Sequence, residues 1–527
     1  MYELTPEEKD AIREYLERKG LPTQLAVTFR DVREIPPREW EEVDAVLTDD
    51  YSDIRSRSEI NDFRAVLAGN LVLNIPLVSA NMQSVTGDEL ATELAKEGGM
   101  GFLPQMLPIK DRVSMIDKIR RADCAFIKHP LSIAGTATLA EAKALMNESG
   151  IYSLVVVTEE QDNKRPIGIL STRDWKYEID QLKLVRDLMN GGGKTELVSA
   201  PRSIPFEDAR QLLHRKRVEK LPLLDDQGLL AGLLTAHGLF YTTHHPRALR
   251  DENGRFLAAA SVGVGQRFTD VHRKEVEIQL EHGACVILLD TARAFSVNAR
   301  EALVAVLTDA LEDLKKRFPN VPIIVGNTCS AKGTKFLFEN GADAVKINQG
   351  RGSRCITSRV TGVGVAQLTA IAESSVIARK YGKCIIGDGG MDDPIDFIKA
   401  IAAGANTLMT GSFFAGTHES LAEAHMGEGR LVGSEKKFAM PVKEYFGEAS
   451  PQSQRLRIQQ KTLDRERKAE GKSEPVPVTG TVRERVTDAL DSFRSAMSYV
   501  GARTLGELRE KAVFRLQTSA ARLEGLK

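Results

Sequence analysis

A cysteine stands in a glycine-rich loop, a setting in which a thiol can act as a nucleophile. The stretch 346–366 reads KINQGRGSRCITSRVTGVGVA and carries Cys355 between a serine and a threonine. Gly350 and Gly352 let the backbone turn sharply and bring main-chain groups close to a ligand. Three arginines make the stretch electropositive, which favours the thiolate over the thiol. We therefore interpret Cys355 as the nucleophile of a covalent mechanism.

Two further glycine-containing segments follow the cysteine. They read IIGDGGMDDP at 385–394 and TLMTGSFFAGTHES at 407–420. Backbone amides at strand ends that open onto helix N-termini bind phosphate groups. Asp388 beside them suits the hydroxyl groups of a ribose. A nucleophile, a phosphate cradle and a ribose-binding carboxylate together indicate an enzyme that acts on a nucleoside 5′-monophosphate.

These residues follow short apolar runs that alternate with segments of helical period. The alternation covers about 70–110 and again about 255–425. Apolar runs without polar alternation are typical of parallel strands covered on both faces. Because functional-looking residues follow at least five of the runs, the pattern favours a (β/α)₈ TIM barrel, whose site lies at the carboxyl ends of its strands. A doubly wound open sheet is the alternative.

Composition excludes several classes of protein. The 527 residues are 42% hydrophobic, and 72 Lys and Arg against 73 Asp and Glu leave a net charge of -1. Bulk charge therefore predicts neither a nucleic-acid partner nor an anionic membrane partner. Five cysteines without a CxxC pair indicate reduced thiols and no structural zinc site. Without a signal-like apolar segment or a membrane-length apolar run, we expect a cytoplasmic protein.

An internal repeat interrupts the alternating region. Residues 138–174 align with 203–237, and each copy reads as an amphipathic helix followed by two apolar strands. The pair resembles tandem cystathionine-β-synthase (CBS) modules, also called a Bateman domain. That resemblance implies a regulatory purine nucleotide such as ATP or GTP, with Thr172 and Asp174 placed to hold its ribose. A packing insert without a ligand is the alternative.

Changes in composition and hydrophobic periodicity along the sequence divide the chain into three parts. We expect an N-terminal segment with the first part of the barrel at 1–124, the CBS pair at 125–245 and the rest of the barrel at 246–527. Within the last part, the charged stretch of about 427–480 is interpreted as a flap over the active site, followed by a helical tail.

Several motifs together resemble one family. They are GSRCIT at 352–357, DGG at 388–390, TGSFFAGTHES at 410–420, IPLVSANMQSV at 75–85, LLDTARAFS at 288–296 and GNT at 326–328. In this order they are similar to the active-site series of IMP dehydrogenases and GMP reductases. The resemblance covers nearly the whole chain, and the CBS pair falls where that family carries it.

The resemblance implies a role for each site residue. Cys355 attacks C2 of the purine, Thr357 assists it, Asp388 binds the ribose and Met82 packs against the base. The implied phosphate ligands are Ser353, Gly390, Gly411, Ser412 and Tyr445. The implied contacts to the dinucleotide and base are Asp290, Asn327 and Asn348.

The family also implies a potassium ion and a homotetramer or octamer. The carbonyls of Gly350, Gly352 and Cys355 would bind the ion, together with the segment LEG at 523–525 of a neighbouring subunit. Two positions depart from the usual pattern, because Asn348 replaces a glycine and Ser358 replaces an arginine.

The family catalyses two reactions on different nucleotides. A dehydrogenase oxidises IMP to XMP with NAD and uses an Arg-Tyr pair of the flap to activate water. Here Arg455 and Arg457 stand in the expected segment, but neither has a neighbouring tyrosine, and Glu470 matches a proton-transfer glutamate of both branches. We expect IMP dehydrogenase. The alternatives are a GMP reductase that uses NADPH and, less favoured, a non-catalytic purine nucleotide sensor.

Overall fold

The fold was analysed in a computed structural model of the chain. It describes residues 3–21, 43–122, 126–127, 130–149, 151–158, 164–191, 197–252, 254–264, 270–307, 317–430, 437–459 and 465–518. Two compact units divide the chain. The first comprises Met1–Arg120, Arg247–Leu249 and Leu257–Lys527, and the second comprises Arg121–Pro246 and Arg250–Phe256.

An eight-stranded parallel sheet forms the centre of the first unit. Its strands are β1 (Leu77–Ser79), β2 (Met100–Gly101), β3 (Ala258–Gly263), β4 (Ala284–Asp290), β5 (Ile323–Thr328), β6 (Ala344–Ile347), β7 (Cys384–Asp388) and β8 (Thr407–Thr410). The strands β3 to β8 pair with one another in chain order. β8 pairs with β1, and β1 pairs with β2. A parallel bridge between Phe102 and Ala259 joins β2 to β3 and closes the ring. The predicted (β/α)₈ barrel is therefore confirmed, and the open sheet is excluded.

The barrel interior is a packed core. Every strand contributes a side chain to it, among them Val78, Met100, Ala259, Ile324 and Met409, all of which are buried. The apolar runs of the sequence form these strands because both faces of a barrel strand are covered, one by this core and the other by helices.

Helices and short sheets surround the barrel. The helices are Pro6–Arg18, Arg57–Glu59 (3₁₀), Asp88–Lys96, Ile109–Arg121, Asp270–Glu281, Val297–Leu307, Ala331–Glu339, Thr357–Thr361, Gln367–Tyr381, Pro394–Ala402, Ser412–Ala415, Pro451–Gln459, Val482–Val500 and Leu505–Lys511. Two antiparallel strand pairs join Val43–Leu47 to Phe514–Thr518 and Ala65–Ala68 to Leu71–Leu73. A three-stranded antiparallel sheet consists of Ala424–Arg430, Lys437–Phe446 and Ser473–Pro477.

The N-terminal helix Pro6–Arg18 is fixed to the barrel by polar contacts. Glu8 forms a capping box with Thr5 and ion pairs with Lys335 at 2.9 Å and Lys380 at 2.7 Å. The Tyr15 hydroxyl donates to the carbonyl of Ala403 at 2.9 Å. Because Glu8 is buried, these partners offset the desolvation of its charge.

The second unit contains two similar halves. One four-stranded sheet has the order Asn190–Gly191, Pro166–Ser171, Ser153–Val157 and Ser132–Ala134, and the other has the order Ala200–Pro201, Lys220–Leu224, Leu230–Thr235 and Phe126–Ile127. Its helices are Leu139–Ser149, Thr172–Trp175, Val185–Leu188, Phe206–Lys216 and Ala236–His244. In each half a strand, a helix and an antiparallel strand pair follow one another, as the aligned repeat predicts.

Candidate active site

The carboxyl ends of the barrel strands open onto a cavity of about 870 Å³. Most residues singled out from the sequence line it: Met82, Asp290, Asn327, Asn348, Gly350, Gly352, Ser353, Cys355, Thr357, Asp388, Gly411, Ser412, Tyr445, Arg457 and Glu470. Gly390 and Arg455 are not among the lining residues. The barrel therefore brings into one cavity residues as far apart in the sequence as Met82 and Glu470.

The Cys355 thiol contacts a hydroxyl group. It donates to Thr357 Oγ1 at 3.2 Å, and the Cys355 amide donates to the carbonyl of Gly352 at 2.8 Å. A hydroxyl hydrogen rotates freely, so Thr357 can donate to the sulfur once the thiol is ionised. Cys329, the rival thiol, is buried, and burial raises the pKa of its thiol. Both observations favour Cys355 as the nucleophile.

The arginines of the cysteine loop have partners other than the thiol. Arg354 forms an ion pair with Glu474 at 2.7 Å and lies over the ring of Tyr445, and the side chain of Arg351 donates to the carbonyl of Val365 at 3.3 Å. These contacts fix the shape of the loop. They give no direct support to the expectation that the arginines stabilise the thiolate.

Backbone hydrogen bonds join the cysteine loop to the segment 470–472. The amide of Ile356 donates to the carbonyl of Glu470 at 2.8 Å, and the amide of Lys472 donates to the carbonyl of Arg354 at 2.9 Å. The same segment bonds to 447–449: Gly447 N donates to Lys472 O at 3.1 Å, and Glu470 N donates to Ala449 O at 3.2 Å. Cys355 is therefore held beside two segments that follow it by about a hundred residues of sequence.

Hydroxyl groups cluster at the predicted phosphate end. Ser353 Oγ donates to the Tyr445 hydroxyl at 3.3 Å, and Ser412 Oγ donates to Asp392 at 2.5 Å. Burial raises the pKa of Tyr445 to about 12, so its hydroxyl stays protonated and can donate to an anion. A side chain at Gly411 would meet this hydroxyl at 2.7 Å, so only glycine leaves the approach open. Gly390 has a φ of 71° and faces the carbonyl of Arg351.

A buried lysine links two of the predicted carboxylates. Lys346 Nζ lies 2.9 Å from Asp290 Oδ1 and 2.9 Å from Asp388 Oδ2, and Asn327 donates to the latter carboxylate at 2.7 Å. Burial by itself would lower the pKa of Lys346, but the two carboxylate charges and their hydrogen bonds raise it above its ordinary value. Lys346 therefore stays charged and orients both carboxylates. Lys346 was not predicted from the sequence, although a single lysine in an otherwise apolar strand indicates a buried charge.

A second missed residue is Glu448, which also lines the cavity. Its Oε1 accepts from the backbone amide of Gln83 at 3.0 Å, and burial raises the pKa of its carboxyl to about 7. Arg457 lines the same cavity and is half-buried, and burial lowers the pKa of its guanidinium. A carboxyl that titrates near neutrality in a cleft is a mark of a functional site.

The structure separates the two candidate flap arginines. Arg457 and Glu470 line the cavity, whereas Arg455 is exposed and lies 3.3 Å from Glu466. Arg457 occurs on the helix Pro451–Gln459, and Arg455 precedes it by slightly more than half a turn, which places it on another face. Arg457 is therefore the better candidate of the two for a role in the cavity.

Asn348 helps to shape the cysteine loop. It is buried, and its side-chain oxygen accepts from the backbone amide of Arg351 at 3.2 Å. The backbone amide of Asn348 donates to the carbonyl of Thr328 at 2.9 Å. The asparagine at this unusual position thus closes a turn of the loop, while its side chain still borders the cavity.

The carbonyls proposed for potassium already accept hydrogen bonds inside the loop. Gly350 O accepts from Ser358 Oγ at 3.0 Å, and Gly352 O accepts from the amide of Cys355 at 2.8 Å. A carbonyl oxygen has two lone pairs, so each keeps one for a cation, and carbonyl oxygens are the donors that potassium takes. The donor set fits the ion. The predicted ligands at 523–525 lie outside the described residues, and among the described residues no cluster of three or more His, Cys, Asp or Glu could hold a metal.

Fold and site together fit a (β/α)₈-barrel oxidoreductase whose cavity is lined by Cys355. Residues 43–527 match the model of the IMP dehydrogenase / GMP reductase domain, and the chain belongs to that family.

Curated relatives are named inosine-5′-monophosphate dehydrogenase. The one from Aquifex aeolicus is 36% identical over 475 residues, which cover 89% of this chain and 91% of the relative. The one from Nitrosopumilus maritimus is 33% identical and covers 89% and 94% of the two chains.

Solved structures of Trypanosoma brucei GMP reductase are also similar. A cysteine-to-alanine variant of that enzyme in complex with guanosine 5′-monophosphate superposes with a TM-score of 0.80 and is 28% identical, covering 97% of this chain and 98% of that one. Its complex with guanosine 5′-triphosphate gives a TM-score of 0.71 and covers 95% and 100%.

Proposed function

We propose that this protein oxidises IMP to XMP, with NAD as the hydride acceptor, through a covalent bond between Cys355 and C2 of the purine. The observation that carries the proposal is the thiol of Cys355 beside the Thr357 hydroxyl in a cavity at the carboxyl ends of the barrel strands. Curated relatives named for IMP dehydrogenase, 33–36% identical over most of the chain, support this choice of reaction.

Binding of the nucleotide is assigned to two groups of residues. The hydroxyls of Ser353, Ser412 and Tyr445 and the glycine-rich turns hold the phosphate, while Asp388, oriented by Lys346, accepts from the ribose hydroxyls. In this proposed binding mode, C2 of the base lies at Cys355 and the face of the base lies on Met82. Positioning of this kind supplies much of the rate enhancement, because it converts a bimolecular step into an intramolecular one.

The reaction then takes two steps. The Cys355 thiolate forms a carbon–sulfur bond to C2, and the hydrogen on C2 leaves as hydride to the nicotinamide ring of NAD, so the purine remains attached to sulfur as a thioimidate. Water next adds to C2, its proton passes to a base, and the carbon–sulfur bond breaks to release XMP and the thiolate. Thr357 stabilises the thiolate at the start and at the end.

The base that activates water is assigned to the flap segment. Arg457 and Glu470 line the cavity, and burial lowers the pKa of Arg457, which makes it a better base than an exposed arginine. Potassium, bound by the loop carbonyls, would supply a fixed charge that holds the cysteine loop in shape.

A second candidate is reduction of GMP to IMP with NADPH. Two observations favour it: the flap has no tyrosine beside Arg457, and the GMP reductase structures cover 97% of this chain. In this reaction Cys355 displaces ammonia from C2, and Glu470 gives the proton that the leaving ammonia needs. A hydride from NADPH then adds to C2, and the carbon–sulfur bond breaks to release IMP and the thiolate. Both candidates use the same thiol, phosphate cradle and ribose contacts.

One assay separates the two. Purified protein is supplied with IMP and NAD, and separately with GMP and NADPH, and the nicotinamide absorbance and the purine products are followed. XMP from the first mixture supports the dehydrogenase; IMP and ammonia from the second support the reductase. No product from either mixture favours the non-catalytic nucleotide sensor.

Regulation is assigned to the second unit. We expect a purine nucleotide such as ATP or GTP to bind between the repeated halves and to change the activity or the assembly of a homotetramer or octamer. Asp174 accepts from Ser171 N at 2.6 Å and from Asn190 at 2.6 Å, and Thr172 donates to Tyr152 O at 3.2 Å, so a ribose would have to exchange with these contacts. Titration with ATP and GTP, followed by rate and particle size, tests this assignment.

The cellular setting is proposed from composition. The four cysteines that the structure describes are free, which suits a reducing cytoplasm. No helix within the described residues is long and apolar enough to cross a membrane.

A further inference from the structure

Glu448 occupies a fixed position beside the cysteine loop. Its two neighbours, Gly447 and Ala449, form backbone hydrogen bonds with the segment 470–472, which is itself bonded to both sides of Cys355. The Glu448 side chain lines the same cavity as the thiol. Its carboxyl contacts the backbone amide of Gln83, which follows Met82, the residue assigned to the face of the base.

The two oxygens of the Glu448 carboxyl have different surroundings. Oε1 accepts from the backbone amide of Gln83 at 3.0 Å, next to Met82, the residue assigned to the face of the base. Oε2 is buried and has no hydrogen-bond partner among the described residues. A buried polar atom without a partner costs free energy, and a ligand in the cavity can supply the missing hydrogen bond.

The hydrogen bond from the Gln83 amide determines which oxygen of the neutral Glu448 carboxyl carries the proton. Because Oε1 already accepts a hydrogen bond, the proton of the neutral carboxyl lies on Oε2, which then acts as a donor. In a purine whose C2 faces Cys355, the substituent on C6 lies on the same edge of the ring, one ring nitrogen away. A donor at this edge matches a 6-oxo group and opposes a 6-amino group.

We propose that Glu448 donates a hydrogen bond from Oε2 to the 6-oxo group of the bound purine nucleotide, so that the site selects 6-oxopurines over 6-aminopurines. The inference rests on the proposed function, because it takes the ligand to be a purine 5′-monophosphate. It applies to IMP and to GMP alike, since both carry the 6-oxo group.

The charges around Glu448 give the sign of the pH dependence. Burial raises the pKa of its carboxyl to about 7; Asp290 raises it further, and the Gln83 amide, Arg457 and Lys346 oppose the rise. The neutral donor therefore predominates below about pH 7, and the carboxylate predominates above it. Recognition of the 6-oxo group should weaken as the pH rises through this value. A carboxylic acid kept neutral so that it can donate to a substrate oxygen has precedent in enzymes.

Equilibrium binding of two nucleotides tests the inference. The measurement uses full-length Cys355→Ala protein, in which no covalent bond forms, with IMP and with purine riboside 5′-monophosphate, which lacks the 6-oxo group. We expect IMP to bind at least about tenfold more tightly at about pH 6, and this ratio to fall toward one at about pH 8. Both ligands share the phosphate titration, so their ratio isolates the base.

Three further variants in the same background make the test specific. Glu448→Gln keeps an acceptor for Gln83 and a donor at the other position, so the preference for IMP should persist and lose its pH dependence. Glu448→Ala should remove the preference and leave the affinity for purine riboside 5′-monophosphate unchanged, which also shows that the site is folded. Glu444→Gln, four residues earlier on the strand Lys437–Phe446 and half-exposed, should behave as the parent does.

Two results would overturn the inference: a preference for IMP that survives Glu448→Ala, or a ratio that stays constant with pH in the parent. Failure of the underlying assignment as a site for purine 5′-monophosphates gives a different result, because neither nucleotide would then bind to the parent and the wild-type protein would turn over neither substrate pair.

Discussion

The Cys355 thiol lies 3.2 Å from the hydroxyl of Thr357, two residues further along the chain. Thr357 is the first residue of a short helix, Thr357–Thr361, so its position is fixed by the turn that also presents the thiol. The loop therefore carries its candidate nucleophile and a polar partner as one unit.

Replacement of the nucleophile is the first prediction. Cys355→Ala should lower kcat by more than about 10³-fold, because no other thiol borders the cavity among its lining residues. Binding of the nucleotide should be largely retained, since the phosphate and ribose contacts are untouched. Turnover and equilibrium binding are the measurements. Cys329→Ala is the matched control and should keep its activity; full activity in Cys355→Ala would contradict the covalent mechanism.

Lys346 is expected to matter for both stability and binding. Lys346→Met removes the cation between two carboxylates and should lower the free energy of unfolding by about 3–5 kcal/mol, because buried charges are left unpaired. Nucleotide affinity should fall as well, since Asp388 loses a partner that orients it. Denaturant unfolding and nucleotide titration measure the two effects. Lys380→Met, which removes a half-exposed partner of Glu8 that does not line the cavity, should change affinity little.

The two flap arginines provide a third test. If Arg457 takes the proton from water, Arg457→Gln should leave a fast burst of NADH, one per active site, followed by slow turnover as the thioimidate accumulates. Arg455→Gln is the control, and it should not change the steady-state rate because its side chain is exposed and paired with Glu466. Unchanged hydrolysis in Arg457→Gln would transfer the role to Glu470, and Glu470→Gln should then give the burst.

Removal of the second unit should preserve catalysis. When residues 125–245 are replaced by a short flexible linker, the barrel keeps all eight strands and every predicted site residue, so the rate with substrate should stay within a few-fold of the parent. Any response to ATP or GTP should disappear. A response that persists in the shortened protein would place the regulatory site on the barrel.

The sequence predicted the parts of the molecule that depend on local patterns. Apolar runs, glycine-rich turns and the order of motifs were enough to predict the barrel and the family, and they singled out Cys355, which lines the cavity. Glu448 was missed because its importance depends on contacts over long separations: its partner Gln83 is 365 residues away along the chain. Lys346 was missed for the same reason, since only the folded barrel places it between Asp290 and Asp388.

Side-chain direction was the other limit of the sequence. Arg455 and Arg457 were equivalent candidates in the sequence, and the helix Pro451–Gln459 separates them by giving them different faces. The arginines around Cys355 were expected to stabilise the thiolate. In the structure, Arg354 instead forms an ion pair with Glu474 and lies over the ring of Tyr445. Such differences arise from rotation about a helix or a loop, which a residue pattern does not record.

The central claim is that Cys355 forms a covalent bond to C2 of IMP during oxidation by NAD. The most direct measurement is mass spectrometry of the intact protein, quenched with acid during turnover with IMP and NAD. We predict an added mass equal to one IMP less two hydrogens, the hydride passed to NAD and the hydrogen of the thiol, located on the peptide that contains Cys355 and absent from Cys355→Ala. Rapid production of XMP with no adduct on that peptide at any quench time, or with the same adduct in Cys355→Ala, would contradict the account.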